Sequence, residues 1–217
     1  MTSPQISTDG LDARSWGYSE DFIVPSETIA ASRQSAAELG ASPLTPGTTA
    51  ALTLLARAIA AKHVVEVGTG AGTSGLALFE GMVSDGILTS VDAEADRQDA
   101  ARRAFTAAGI PTPRFRLIAS APLDVLPKLR DGAYDLVFIN GDMLEYVEYV
   151  AQALRLLRHG GMVVLNGALW QNKVADPENE DDEAVIIREA LGSILETEEF
   201  TSALLPVGNG LLVAVKA

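Results

Sequence analysis

The chain contains no cysteine, which excludes a disulfide framework, a thiolate metal centre and a cysteine nucleophile, and fits a reducing compartment. No apolar run approaches the roughly 20 residues of a membrane span. The start, Met1-Thr-Ser-Pro-Gln-Ile, has neither the basic nor the apolar region of an export signal, so a soluble, cytoplasmic protein is expected. Basic residues are scarce: 16 Lys and Arg stand against 29 Asp and Glu, for a net charge of −13. A field of that sign repels phosphate backbones and anionic lipid, which argues against nucleic acid and membrane as partners. It equally disfavours a highly anionic small substrate such as a coenzyme A ester.

What is present is a chain of 217 residues, 47% hydrophobic, long enough to bury roughly 70 to 75% of its unfolded surface in one domain. Residues 1–22 mix Ser, Thr, Gly and charge without periodicity and are expected to form an irregular or mobile arm, leaving 23–217 as a single domain. The organising stretch is 63–75. Val64, Val65 and Val67 form a β-branched run carrying Glu66, which breaks into Gly68, Gly70 and Gly72 before the apolar residues 76–79. This reads as strand, glycine turn and helix, a turn in which a ligand can approach the backbone closely. Gly70-Ala-Gly72-Thr-Ser-Gly75 also fits the dinucleotide pattern G-x-G-x-x-G, with Asp92 at the spacing of a ribose-binding acid.

Before this stretch, Ser26 is placed to cap a helix running to about 39, closed by Gly40, and Thr45 with Pro46 opens a second. After it, strands and helices alternate: strands near 87–91, 114–118, 134–139 and 162–165, with helices to about 108, over 122–129 and over 144–158. Such alternation predicts an α/β fold with a parallel sheet covered on both faces. Beyond an irregular loop over 166–182 and a helix over 183–195, two apolar runs flank Val207-Gly-Asn-Gly210, a strong hairpin signal. The expected sheet therefore has seven strands, mostly parallel, ending in an antiparallel hairpin with the last strand inserted. Glu178, Glu180, Asp181, Asp182 and Glu183 stand before a helix, where acids complement the dipole, and are read as a solvated cap.

The order of Glu66-Val-Gly-Thr-Gly-Ala-Gly, Asp92, Ala107-Ala-Gly-Ile, Tyr134-Asp-Leu-Val-Phe-Ile, Leu156-Leu-Arg-His-Gly-Gly and Leu205-Pro-Val-Gly-Asn-Gly resembles the class I S-adenosylmethionine-dependent methyltransferases. More narrowly it is similar to the bacterial relatives of catechol and caffeoyl-CoA O-methyltransferases. The resemblance implies a Rossmann-like fold, a homodimer and S-adenosylmethionine as cofactor. By matching positions the cofactor would meet Leu44, Glu66, Gly68, Thr69, Gly70, Gly72, Ser74, Asp92 and Ala93, with Ser120 or Ala121 near the adenine. Glu66 separates this cofactor from a dinucleotide, since its charge repels a pyrophosphate and attracts an ammonium or sulfonium.

The chemistry-bearing positions depart from the family. Its metal-dependent members end the fourth strand in Asp-Ala-Asp-Lys and the fifth in Asp-Asn. Here those stretches read Asn140-Gly141-Asp142-Met143 and Asn166-Gly167. Magnesium is held chiefly through carboxylates and sheds water reluctantly, so no tightly bound catalytic metal is expected. Without one, methyl transfer needs positioning and removal of the acceptor proton. Candidate catalytic residues are Asp142, Asn140 and Lys173, and Asn140, Met143, Tyr146, Asn166 and Trp170 are expected to bind a small, aromatic acceptor. His63 opens the first strand and His159 precedes the fifth, both at the end opposite to ligands, and they are read as surface or turn residues. Three functions are carried forward: an O-methyltransferase, a non-catalytic binder of S-adenosylmethionine or S-adenosylhomocysteine, and an NAD-linked oxidoreductase.

Overall fold

In the computed structural model, which describes residues 12–217, seven strands form one sheet in the order β3-β2-β1-β4-β5-β7-β6. The strands are β1 (His63–Val67), β2 (Ile87–Asp92), β3 (Phe115–Ala119), β4 (Tyr134–Ile139), β5 (Leu157–Asn166), β6 (Phe200–Leu205) and β7 (Leu211–Lys216). The first five are parallel, and β7 lies antiparallel between β5 and β6. The expected topology, with the last strand inserted, is what forms.

Both faces of the sheet are covered, which is why the central strands read as nearly unbroken apolar runs. Val64, Leu136, Phe138 and Val164 pack beneath α2 (Glu27–Glu38), α3 (Pro46–Ala58), α4 (Thr73–Gly81) and α5 (Ala95–Ala107). Val65, Val67, Val137, Ile139 and Val163 face α7 (Tyr146–Leu156) and α8 (Asp182–Glu196). With side chains alternating along β1, Glu66 falls on the Val64 face, beneath the helices that follow the glycine turn. The predicted caps form: Ser26 accepts from the Ile29 N–H at 3.4 Å, and Thr45 from the Thr48 N–H at 3.2 Å with Pro46 in the first turn.

Several boundaries differ from the sequence reading. Of the arm expected over 1–22, residues 1–11 lie outside the described residues, and Ala13–Glu20 forms helix α1. Glu20 anchors it: only 6% exposed, its carboxylate accepts the Gly47 N–H at 3.2 Å and the Gly208 N–H at 2.6 Å. The helix expected over 122–129 shortens to α6 (Pro122–Val125) and a 3-10 turn. That expected over 144–158 begins as a 3-10 turn, and β5 already starts at Leu157 rather than at 162. Gly160, with φ +72°, lets the chain bulge there, where pairing skips from Tyr134 opposite Leu157 to Leu136 opposite Met162.

Candidate active site

The sheet order reverses between β1 and β4, and in open α/β sheets ligands bind where the carboxyl ends of the strands meet such a switch point. A cleft of about 600 Å³ opens there. Its floor is the glycine turn. The Gly68 N–H donates to the Val91 carbonyl at 2.8 Å and the Asn140 N–H to the Val67 carbonyl at 2.8 Å, so the turn is tied to both neighbouring strands. Gly68 has φ +88°, and a Cβ on it would stand 2.1 Å from the Asn140 carbonyl oxygen. Only glycine fits that crossing.

The wall is supplied by residues 40–44 between α2 and α3. Arg33 holds this segment by donating from Nε to the Leu44 carbonyl at 2.8 Å, and Ser32 pins α2 to the turn through the Ala71 carbonyl at 2.9 Å. Of the expected cofactor contacts, Leu44, Gly68, Thr69, Gly70, Ser74, Asp92, Ala93 and Ala121 line the cleft. Glu66, Gly72 and Ser120 do not: Glu66 is wholly buried behind the turn. A Cβ on Gly72, whose φ is +88°, would press on Ala101 and Phe105 at 3.0 Å, so this glycine serves the packing of the turn on α5. Ser120 spends its N–H on the Asp92 carbonyl at 3.0 Å and leaves the rim to Ala121.

Asp92 is 4% exposed; its Oδ2 accepts the Gly70 N–H and its Oδ1 the Glu94 N–H, each at 3.0 Å. Glu66, two residues back along β1 from Gly68, has no exposure at all. Its Oε2 accepts the Ser90 hydroxyl at 2.5 Å, while Oε1 has no partner. Burial pushes its pKa up to about 7, opposed by the nearby Ser74 hydroxyl, which makes no hydrogen bond to Oε1, and by the bonded Ser90 hydroxyl, and assisted by the charge of Asp92. A buried carboxylate with an orphaned oxygen is a standing demand for a cation.

Ser90 and Gln98 were not singled out from sequence, yet they complete this network. Gln98 donates from Nε2 to the Thr69 hydroxyl at 2.9 Å, and the Thr69 and Ser90 hydroxyls are 2.6 Å apart. The signals were present: Ser90 shares the sheet face of Asp92 two residues on, and Gln98 interrupts the buried stripe of α5 that continues with Ala101 and Phe105.

The other end of the cleft is lined by Asn140, Gly141, Asp142, Glu145 and Tyr149. Asp142 is exposed, its Oδ1 accepting the Leu144 N–H at 3.0 Å. Tyr149 donates its hydroxyl to Glu145, and burial together with that carboxylate holds the phenol well above its ordinary pKa, so it stays a neutral donor. Neither Glu145 nor Tyr149 was expected; Tyr149 follows Tyr146 by three residues and so shares its side of α7.

Other expected acceptor contacts lie elsewhere. Tyr146 is 1% exposed, packs in the core beside α8 and donates to the Asn166 carbonyl at 3.0 Å. Met143 packs against the same core, 3.1 Å from the position a Gly167 Cβ would take. Trp170 stands in a run with φ of +33°, +57° and +67° over Trp170, Gln171 and Asn172, and does not line the cleft. Nor does Lys173, expected as a candidate base: its ammonium pairs with Asp181 at 2.8 Å and stacks over Trp170 at 4.4 Å. Asp181 occupies the N-cap position of α8 without a side-chain capping bond, and Asp182 and Glu183 stand in the first turn, so the acidic run lies at that helix start. His63 and His159 sit at the far end of their strands, His159 against the terminal Ala217 carbonyl.

Asn166 donates from Nδ2 to Asn140 Oδ1 at 2.8 Å. The two amides that replace metal-binding positions of the resembled family therefore satisfy each other. With Asp142 as the carboxylate beside them, this donor set does not fit a tightly held magnesium ion. Among the described residues no three His, Cys, Asp or Glu side chains cluster as ligands, and no helix is long and apolar enough to cross a membrane.

Comparison with known proteins shows the family and the fold. The O-methyltransferase family profile matches residues 26–217. A Mycobacterium tuberculosis protein whose name calls it an O-methyltransferase is 44% identical over 201 residues, covering 93% of this chain and 90% of that one. A crystal structure from Corynebacterium glutamicum superposes with a TM-score of 0.85 at 32% identity, covering 92% of this chain and 94% of that one. An O-methyltransferase from Streptomyces achromogenes, solved with S-adenosylmethionine, superposes at 0.85 with 23% identity over 95% and 99% of the two chains, a likeness that speaks for the fold alone.

Proposed function

Since the chain belongs to the O-methyltransferase family, we propose that it transfers the methyl group of S-adenosylmethionine to a hydroxyl of a small, aromatic acceptor, without a tightly bound catalytic metal. The observation that carries the cofactor is Glu66, a buried carboxylate with an unpaired oxygen behind a glycine turn. When bound, S-adenosylmethionine supplies an electrophilic methyl group on a positively charged sulfur. Glu66 offers the charge that its cationic methionine portion seeks, Asp92 keeps lone pairs for ribose hydroxyls, and Gly68 and Gly70 allow close approach. An NAD pyrophosphate would meet Glu66 as a repulsive neighbour, so the dinucleotide pattern at Gly70 loses its force.

At the other end, Asp142 is the candidate base, with Oδ2 left for the acceptor proton once Oδ1 is held by Leu144. Asn140 presents its amide beside it, and the neutral Tyr149 hydroxyl steadies Glu145. The lining carries Asp92, Glu94, Asp142 and Glu145 against Arg97, which suits a neutral or cationic acceptor and disfavours a coenzyme A ester. The same reading makes the protein a cytoplasmic homodimer. The pairing of Asn140 with Asn166 also supports a second reading, a non-catalytic binder of S-adenosylmethionine or S-adenosylhomocysteine.

Methyl transfer from radiolabelled S-adenosylmethionine to a panel of phenols and catechols, with and without EDTA, separates the readings. The expected result is turnover that EDTA leaves unchanged. Loss with EDTA and recovery with magnesium would refute the metal-free site; cofactor binding with no transfer to any acceptor would favour the second reading.

A further inference from the structure

The direction of the hydrogen bonds behind the glycine turn is determined, and it leads to Gln98. This residue is 4% exposed, and its Nε2 lies 3.0 Å from the Ile118 carbonyl and 2.9 Å from the Thr69 hydroxyl, its two nearest acceptors, with the Ser90 carbonyl farther off at 3.4 Å. A carbonyl can only accept, so the amide nitrogen must occupy that position, and both its hydrogens are committed. Thr69 then accepts from Gln98, and its own hydrogen is free to pass to Ser90 at 2.6 Å. Ser90 in turn donates to Glu66. Every link points toward the carboxylate.

The reverse direction requires a proton on Glu66 Oε2 that donates to Ser90, which donates to Thr69. Thr69 would then receive from both sides, and its own hydrogen would have no partner at a residue 1% exposed. The cost of the arrangement is visible at the amide's other end, since Gln98 Oε1 is itself buried without a partner. An amide kept in an apolar stripe at that expense is there for its two donors. We propose that Gln98 is a positioning residue for the cofactor, whose amide orients the Thr69 and Ser90 hydroxyls so that their donors favour the Glu66 anion that receives a cationic ligand. Glu66 is faced by Ser90 and Asp92 from β2, by Ser74 from α4 and by the apolar Phe138 of β4. Asp92 is the charged group among them and favours the proton, so the hydroxyl chain opposes it.

This rests on the cofactor reading above, and the test keeps the two apart. Selective ¹³C NMR of the Glu66 carboxyl in the ligand-free protein gives its titration midpoint from pH 5 to 9. Calorimetry with S-adenosylhomocysteine over the same range gives the affinity. For Gln98→Met, close in shape but without donors, the midpoint should rise by about one pH unit. Affinity at pH 7 should then fall up to about tenfold and rejoin the unsubstituted protein's value by pH 9. Ser90→Ala, which removes the last donor, should raise the midpoint further and serves if Gln98→Met does not fold. An unchanged midpoint in both variants, or an equal affinity loss at every pH, would overturn the proposal and leave Gln98 a packing residue. A raised midpoint in a protein that binds no S-adenosylhomocysteine would uphold the hydrogen-bond chain and refute the cofactor reading.

Discussion

Glu66→Gln exchanges the buried acid for an amide of the same shape and removes its ionisation. In the folded protein the Glu66 pKa stands at about 7 against an ordinary 4.5, with burial as the main cause. The folded state therefore binds this proton more tightly than the unfolded chain does. The stability so supplied is complete below pH 4.5 and is lost as the pH rises through 7. At about 1.4 kcal/mol per tenfold in proton affinity, the whole loss is about 3 kcal/mol. Glu66→Gln does not undergo it. Urea unfolding of both proteins, followed by circular dichroism at half-unit intervals from pH 4.5 to 8.5, isolates the effect because other groups titrate alike in the two. Relative to its value at pH 4.5, the stability difference should move by about 3 kcal/mol in favour of Glu66→Gln by pH 8, with unchanged dependence on urea. Binding of S-adenosylhomocysteine should be lost in the same protein. A difference constant across the pH range would refute the reasoning, because it would mean that Glu66 ionises as easily when folded as when unfolded.

Two further substitutions probe the turn and the strand end. Gly68→Ala places a methyl group 2.1 Å from the Asn140 carbonyl oxygen at a φ of +88°; a stability loss of about 2 to 4 kcal/mol is expected, and urea unfolding measures it. Asp92→Ala leaves the Gly70 and Glu94 N–H groups without their side-chain acceptor and removes the proposed ribose contact. Calorimetry should show S-adenosylhomocysteine affinity down by at least about tenfold and no NAD binding in either protein.

How much of this was legible in the sequence follows from what a sequence pattern reports. Periodicity assigns a residue to a face, and turn chemistry fixes local backbone. So the strands, the caps at Ser26 and Thr45, the glycine turn and the inserted hairpin strand could all be read. Periodicity does not report which side chain from another element will meet it. Gln98 and Thr69 are 29 residues apart, and Asn140 and Asn166 are 26 apart. Lys173 looked available in a loop until Asp181 engaged it. Gly72 belonged to the motif but is spent on α5. Helix α1 was missed because what fixes it, the bonds from Glu20 to Gly47 and Gly208, spans up to 188 residues.

The two ends of the cleft differ in how their polar groups are satisfied, and the difference bears on what each has to do. At the cofactor end a polar group is left wanting: Glu66 Oε1 is buried and unpaired. Such a group raises the energy of the empty site and so favours a ligand that reaches it. At the acceptor end the comparable groups have satisfied one another, Asn140 with Asn166 and Tyr149 with Glu145. A bound metal would have to break the first of these pairs and would gain only amide dipoles where it needs carboxylates. On the proposed function the acceptor is held by shape and by the pre-formed hydrogen bonds that the cleft already contains, with Asp142 bonded only to its own turn. Selectivity built in this way depends on orienting an acceptor hydroxyl rather than on chelating a pair of them. On this reasoning a single phenolic hydroxyl suffices, and a catechol gains nothing from its second oxygen.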